Sequence, residues 1–126
     1  MEIHKSAEDY LETIYKLLKR HGQVRSIDVV AEMHFSKPSV SVAMKKLRES
    51  GHVIMDENGL LSLTDEGRAI ASRIYERHQV LTQMLVALGV EEKTAAEEAC
   101  QLEHDISDGT FEKIKAYFIH NQRPNP

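Results

Sequence analysis

The chain of 126 residues holds a single cysteine, so no internal disulfide can staple it, which agrees with a reducing compartment. Proline is scarce at three residues and glycine at six, and no low-complexity run occurs, which leaves ordinary globular material. No apolar run approaches the roughly 20 residues needed to cross a bilayer, so no membrane association is expected. The opening Met-Glu-Ile-His-Lys-Ser lacks the apolar core of a signal peptide, and the expected location is the cytoplasm. His-Glu-x-x-His, a nucleophile elbow and a glycine-rich phosphate loop are all missing, so an enzyme is not expected. Positive charge is short as well. The net charge is −4, which taken alone argues against a nucleic-acid binder.

The distribution of that charge argues the other way. Residues 1–60 carry nine Lys/Arg against nine Asp/Glu, whereas residues 61–126 carry seven against eleven and hold the whole −4. Between 36 and 48 stand Lys37, Lys45, Lys46 and Arg48, with no acid among them. A local basic face of this kind is what phosphate contacts need.

Hydrophobic residues make up 41 % of the chain, enough for a modest core in one or two small domains. Ser6-Ala7-Glu8-Asp9 has the capping-box pattern, and Ala7, Tyr10, Leu11, Ile14, Leu17 and Leu18 follow at helical spacing until Gly22. A short helix is expected from an N-cap at Ser26 to about Met33, burying Ile27, Val30 and Ala31. Ser36 caps the next, with Pro38 in its first turn, where a missing N–H costs nothing. Its buried stripe is Val40, Ala43, Met44 and Leu47, which leaves Ser39, Val42, Lys45 and Lys46 outside. His52–Met55 and Leu60–Leu63 read as strands, joined through Asp56-Glu57-Asn58-Gly59. Three helices followed by a hairpin predict a winged helix-turn-helix over residues 1–64.

Residues 65–126 read as an all-helical domain. Thr64 caps a long helix whose inner face is Ile70, Ile74, His78, Leu81, Leu85 and Leu88, stopped by Gly89. A helix over about 91–106 is expected to bury Ala95, Ala99, Leu102 and Ile106. After Ser107-Asp108-Gly109, a last helix carries Phe111, Ile114, Tyr117 and Phe118, and Gln122 to Pro126 reads as a frayed tail. So few helices bury little surface alone, which points to pairing with a second copy. The fold class is therefore mainly α.

The second helix of a helix-turn-helix places its N-terminal residues in the major groove of double-stranded DNA. Here those are Ser36, Lys37, Pro38, Ser39, Ser41 and Val42, with Lys45 and Lys46 placed for phosphate. No Arg, Asn or Gln lies on that face, so methyl contacts and DNA shape are expected to carry specificity. The bland reading is a basic, solvated helix in some other three-helix fold, but cap, turn, basic helix and wing occur in the order that DNA reading requires.

Cys100-Gln101-Leu102-Glu103-His104 carries the second chemical signal. Positions i, i+3 and i+4 share a helix face, so Cys100, Glu103 and His104 converge there. A thiolate, a carboxylate and an imidazole together suit a first-row divalent metal. Asp9 and Glu12 are like charges one turn apart, a spacing that costs energy unless a cation intervenes. His78 interrupts an aliphatic stripe. Each has a plain explanation when taken singly: Asp9 as cap partner, Glu12 paired with Lys16, His78 as a core histidine, Cys100 as a small apolar residue. Taken together they predict a metal site drawn from both ends of the chain around a DNA reader.

These pieces resemble the diphtheria toxin repressor family of metal-dependent regulators, nearer its short manganese transport regulator branch, over essentially the whole chain. The matching residues are Glu8-Asp9-Tyr10-Leu11-Glu12, Pro38-Ser39-Val40-Ser41, Leu63-Thr64-Asp65-Glu66-Gly67, Arg77-His78 and the Cys-x-x-Glu-His run. The resemblance implies a homodimer that binds palindromic operators when metal-loaded and represses metal-uptake genes. It implies ligand roles for Asp9, Glu12, His78, Glu103 and His104. Cys100 stands where the manganese branch has a bridging glutamate; a cysteine there resembles the iron branch, which in turn has methionine in place of Asp9. Thr82 and Ala96 occupy two second-site ligand positions of the iron branch, and with the sequence ending at 126 the SH3-like domain of that branch is not expected.

The expected primary site is therefore Asp9, Cys100, Glu103 and His104, with the Cys100 carbonyl and water completing it. Glu12, His78 and Glu103 form a candidate second site. Fe(II) or Mn(II) is the expected metal, with Co(II), Ni(II) or Zn(II) substituting in vitro, because thiolate favours the softer ions. The expected mechanism is a population shift among spacings of the two reading heads. Two rival classes stay open: a winged-helix regulator with Cys100 as a redox or small-ligand sensor, and a small metallohydrolase using the same cluster. Peroxide response lost in Cys100→Ser with the metal response intact would mark the first. Open coordination positions for substrate would mark the second. A purely structural interaction module is the third alternative, and it has no use for the basic, serine-rich helix.

Overall fold

The computed structural model describes residues 5–122, mainly helical: α1 Lys5–His21, α2 Ser26–Met33, α3 Lys37–Glu49, β1 Val53–Met55, β2 Leu61–Leu63, α4 Asp65–Ala87, α5 Glu92–Leu102 and α6 Asp108–Gln122. The chain falls into two compact units, Met1–Arg73 and Ile74–Pro126, with the division inside α4. The tail expected from Gln122 lies outside the described residues beyond that position.

In the N-terminal unit, Leu11, Ile14 and Leu17 of α1 bury against Val29 of α2, Val40, Met44 and Leu47 of α3, and Leu61 of β2. α1 already includes Lys5, so Ser6 sits within the helix instead of capping it. α2 turns a different face inward from the one expected: Val29 is buried, while Ile27 is 51 % exposed and Ala31 is exposed. Its N-terminus is closed from behind, where the Asp28 carboxylate accepts from the Arg25 N–H at 2.8 Å. The turn into α3 passes through His34 at φ 59°, and Ser36 then caps α3 by accepting from the Ser39 N–H at 3.2 Å.

The hairpin pairs Val53 with Leu63 and Met55 with Leu61 in antiparallel register. Its loop is longer than a two-residue Asn-Gly turn. The Asp56 N–H donates to the Leu60 carbonyl at 3.0 Å, and the Asp56 carboxylate accepts from Asn58 and Leu60 at 2.8 and 2.9 Å. Gly59, at φ 80°, supplies the left-handed residue that this loop requires. Leu61 also donates to the Val24 carbonyl at 2.7 Å, which docks the wing onto the α1–α2 connection. The hairpin's other end meets the start of α4. Thr64 donates its hydroxyl to the Gly51 carbonyl at 2.7 Å and accepts from the Gly67 N–H at 3.1 Å. Gly67 packs so closely on His52 that a Cβ there would stand 2.1 Å from the His52 carbonyl oxygen.

In the C-terminal unit the buried apolar residues are Ile74 and Leu81 of α4, Ala95 and Ala99 of α5 and Phe111 of α6. Two residues expected inside are outside, Leu88 at 75 % exposed and Leu102, and Tyr117 of α6 is 73 % exposed. α4 stops at Ala87, before Leu88, and Gly89 at φ 103° turns the chain away. α5 ends at Leu102, one turn short of the expected 106, so Ile106 lies in a connecting turn. Ser107 begins α6 by accepting from the Thr110 N–H at 3.1 Å, which makes Asp108 and Gly109 the helix's first residues.

Candidate metal centre and DNA-reading helix

α4 and α5 assemble a donor set inside the C-terminal unit. One ligand-type atom each from His78, Cys100 and Glu103 lies within 4.8 Å of the others, offering nitrogen, sulfur and oxygen. Cys100 and Glu103 meet because α5 carries them at i and i+3. Although the helix ends at Leu102, its cap residue Glu103 keeps helical dihedrals (φ −60°, ψ −22°) and its N–H donates to the Ala99 carbonyl at 2.9 Å. His78 faces them from α4. Cys100 is exposed, whereas Glu103 is 0 % exposed.

The Glu103 carboxylate is the hub. Its Oε2 lies 3.0 Å from His78 Nδ1, within hydrogen-bond distance. Its Oε1 faces His104 Nε2 at 3.4 Å, close enough for charge attraction, but no hydrogen bond among the described residues reaches that oxygen. A buried oxygen left in this state costs about 1–3 kcal/mol. A cation among the four side chains would remove that cost, and the donor types are those of a divalent first-row metal, so the residues fit the ion that the sequence predicts. His104 lies past the end of α5, so it reaches Glu103 through the turn and not along a helix face. The structure thus groups Cys100 with His78 and Glu103, and His104 with the second oxygen of Glu103. Asp9 and Glu12 lie on α1 in the N-terminal unit, the first half-buried and the second buried.

Sequence reasoning missed Arg77. Its guanidinium is buried and donates through Nη1 to the carbonyls of Glu103 at 3.0 Å and Ile106 at 2.7 Å, and through Nη2 to the Asp108 carboxylate. Phe111 packs on its face, 5.3 Å from the ring centre. The available signal was spacing: Arg77 stands at helical spacing from Ile74 and Leu81, on the same footing as His78.

In the N-terminal unit, Ser36, Lys37, Pro38, Ser39, Ser41, Val42, Lys45 and Lys46 are all exposed, on and just before the outer face of α3. The Ser36 oxygen is committed to the cap and its hydroxyl to Ser39 Oγ at 2.8 Å, so Ser41, Val42 and the lysines are the less encumbered groups of that face.

Residues 2–61 match the family description "Iron dependent repressor, N-terminal DNA binding domain", and residues 64–125 match "Iron dependent repressor, metal binding and dimerisation domain". An uncharacterized HTH-type transcriptional regulator of Methanocaldococcus jannaschii is 38 % identical over 115 residues, 90 % of this chain and 92 % of its own length. The transcriptional regulator MntR of Escherichia coli O157:H7 is 32 % identical over 110 residues, 87 % of this chain and 71 % of its own. A manganese-dependent transcriptional repressor solved with manganese superposes with a TM-score of 0.81 at 33 % identity over 93 % of this chain. The manganese regulator SloR superposes at 0.78 with 32 % identity. The chain spans about half the length of each of these solved structures, 54 % in both.

Proposed function

Because the chain belongs to the iron-dependent repressor family, the diphtheria toxin repressor group of transcriptional regulators, we propose that it is a metal-responsive repressor that binds palindromic operator DNA as a homodimer. The observation that carries this reading is the buried Glu103 carboxylate, with one oxygen that no hydrogen bond among the described residues reaches, set beside the nitrogen and sulfur donors of His78, Cys100 and His104. Those four side chains would hold the ion. Asp9 and Glu12 are the carboxylates that the sequence adds to them. When bound, the ion supplies positive charge that ties deprotonated donors together, which is how occupancy becomes a conformational preference.

His78 and His104 flank opposite oxygens of Glu103, and His78, within hydrogen-bond distance of Oε2, fixes that edge of the carboxylate before loading. Cys100, nearer solvent, is the donor whose softness bears on the choice of metal. A thiolate moves preference from Mn²⁺ towards Fe²⁺, and more strongly towards Co²⁺, Ni²⁺ and Zn²⁺. The relatives named for manganese lean the other way; with cytoplasmic availability included, Fe(II) leads and Mn(II) follows. Exposed Leu88, Leu102 and Tyr117 provide apolar surface in the unit that matches the dimerisation description. α3 reads the major groove through Ser41 and Val42, with Lys37, Lys45 and Lys46 on phosphates.

The test is anaerobic loading with Fe²⁺ or Mn²⁺, followed by metal analysis and by binding to duplexes selected from a random pool. DNA affinity should rise on loading in the wild type and fail to rise in Glu103→Ala and His104→Ala. Operator binding that still depends on metal in either variant would show the site to be misassigned.

A further inference from the structure

We propose that Arg77 is a positioning residue of the metal centre, one that fixes the Glu103 donor through its backbone and links it to the start of α6; the inference rests on the metal-responsive reading above. The last carbonyls of a helix have no partner within it, and the C-cap of α5 is Glu103. Glu103 is wholly buried, so its carbonyl depends on a protein donor. Arg77 Nη1 is that donor, at 3.0 Å, and the same nitrogen holds the Ile106 carbonyl at 2.7 Å. The turn of 103–106 is thereby drawn onto one guanidinium nitrogen. Nη2 meanwhile holds Asp108, the first residue of α6.

Glu103 is therefore gripped twice from adjacent positions of α4: by its carbonyl from Arg77 and by its carboxylate from His78. A side chain held at both ends has little freedom to rotate, and donor sets need placement to within about half an ångström. His104, the next residue in the turn, depends on the same grip. The planar fork is needed because three acceptors lie in two directions. Lysine offers one point charge and reaches one of them well. A cation at a helix C-terminus is also favoured by the helix dipole, which explains why this position accepts a buried Arg on an otherwise apolar stripe.

The experiment is an anaerobic Co²⁺ titration of the full chain, read by the thiolate-to-cobalt charge-transfer band. Circular dichroism follows unfolding of the metal-free protein alongside. Arg77→Ala and Arg77→Lys should bind Co²⁺ about tenfold to a hundredfold more weakly, as removal of the partners behind metal ligands does. Their band at saturation should also differ in intensity per bound ion. Reduced stability alone would move the midpoint and leave the saturated band unchanged. Asp108→Asn removes only an exposed partner of Arg77 and should weaken binding a few-fold, with a changed band; it decides the matter if the Arg77 variants do not fold. Wild-type affinity and band in Arg77→Lys and Asp108→Asn would overturn the inference and leave the metal centre standing. No charge-transfer band in the wild type would overturn the centre itself, and the inference with it.

Discussion

Glu103→Gln should make the metal-free protein more stable and the metal-loaded protein less stable than the wild type. The side chains are nearly the same size, so packing is conserved. The amide oxygen can keep its place 3.0 Å from His78 Nδ1. The amide NH₂ then takes the position of Oε1, the oxygen that no hydrogen bond among the described residues reaches, so both that acceptor and the buried negative charge are removed. Removing an unsatisfied buried oxygen recovers up to about 1–3 kcal/mol. In a chain of this size about 1 kcal/mol moves the melting temperature by about 3–5 °C. Metal at a hundredfold excess over its dissociation constant stabilises the wild type by about 2.7 kcal/mol, and the variant, lacking the anionic hub, should gain almost none of it. The two proteins should therefore exchange rank between chelator and metal in thermal denaturation under anaerobic conditions. A variant less stable than wild type in chelator, or one that keeps the full metal-induced shift, would refute the reasoning about Oε1.

Three further outcomes are expected. Gly67→Ala should destabilise by about 1–3 kcal/mol in urea unfolding despite alanine's better helix propensity, since its Cβ would lie 2.1 Å from a backbone oxygen that cannot swing aside. His34→Gly should raise the melting temperature, because a left-handed residue other than glycine gives up about 1 kcal/mol; an unchanged or lower value would place a compensating interaction at His34. Lys45→Ala and Lys46→Ala should each flatten the dependence of log DNA affinity on log salt by about 0.9 for every phosphate no longer neutralised, while Ser41→Ala should change sequence preference with little change of slope.

How far the fold could be read from the sequence depended on whether an element's limits were local. α3 was legible in full because its cap, its N-terminal proline and its stripe of Val40, Met44 and Leu47 are all set within thirteen residues. α2 was legible in extent and not in facing. Eight residues make barely two turns, Ile27, Val29 and Val30 are all apolar, and packing in the N-terminal unit selected Val29. α5 was misread at its end because no glycine or proline stops it there. What ends it is tertiary: the carbonyls of Glu103 and Ile106 turn to Arg77 instead of continuing a helical ladder.

The same fact explains what was legible in the metal centre. Cys100 and Glu103 could be paired from spacing alone, since i and i+3 converge whether or not the helix runs on past the cap. His104 was nominated and placed on the same helix face, but the helix ends before it and its position follows from the turn that Arg77 holds. Arg77 itself gives no signal by residue type, since an arginine on a helix is usually a solvated charge. It lies on the buried face with Ile74 and Leu81, although spacing had put the neighbouring His78 there, and a buried charge survives only where acceptors converge on it. Here the acceptors are two main-chain carbonyls and a carboxylate, which leave no trace in a pattern of residue types. An arginine breaking an apolar stripe one residue before a candidate ligand is thus a reason to look for the loop it holds, and in this chain that loop carries Glu103 and His104.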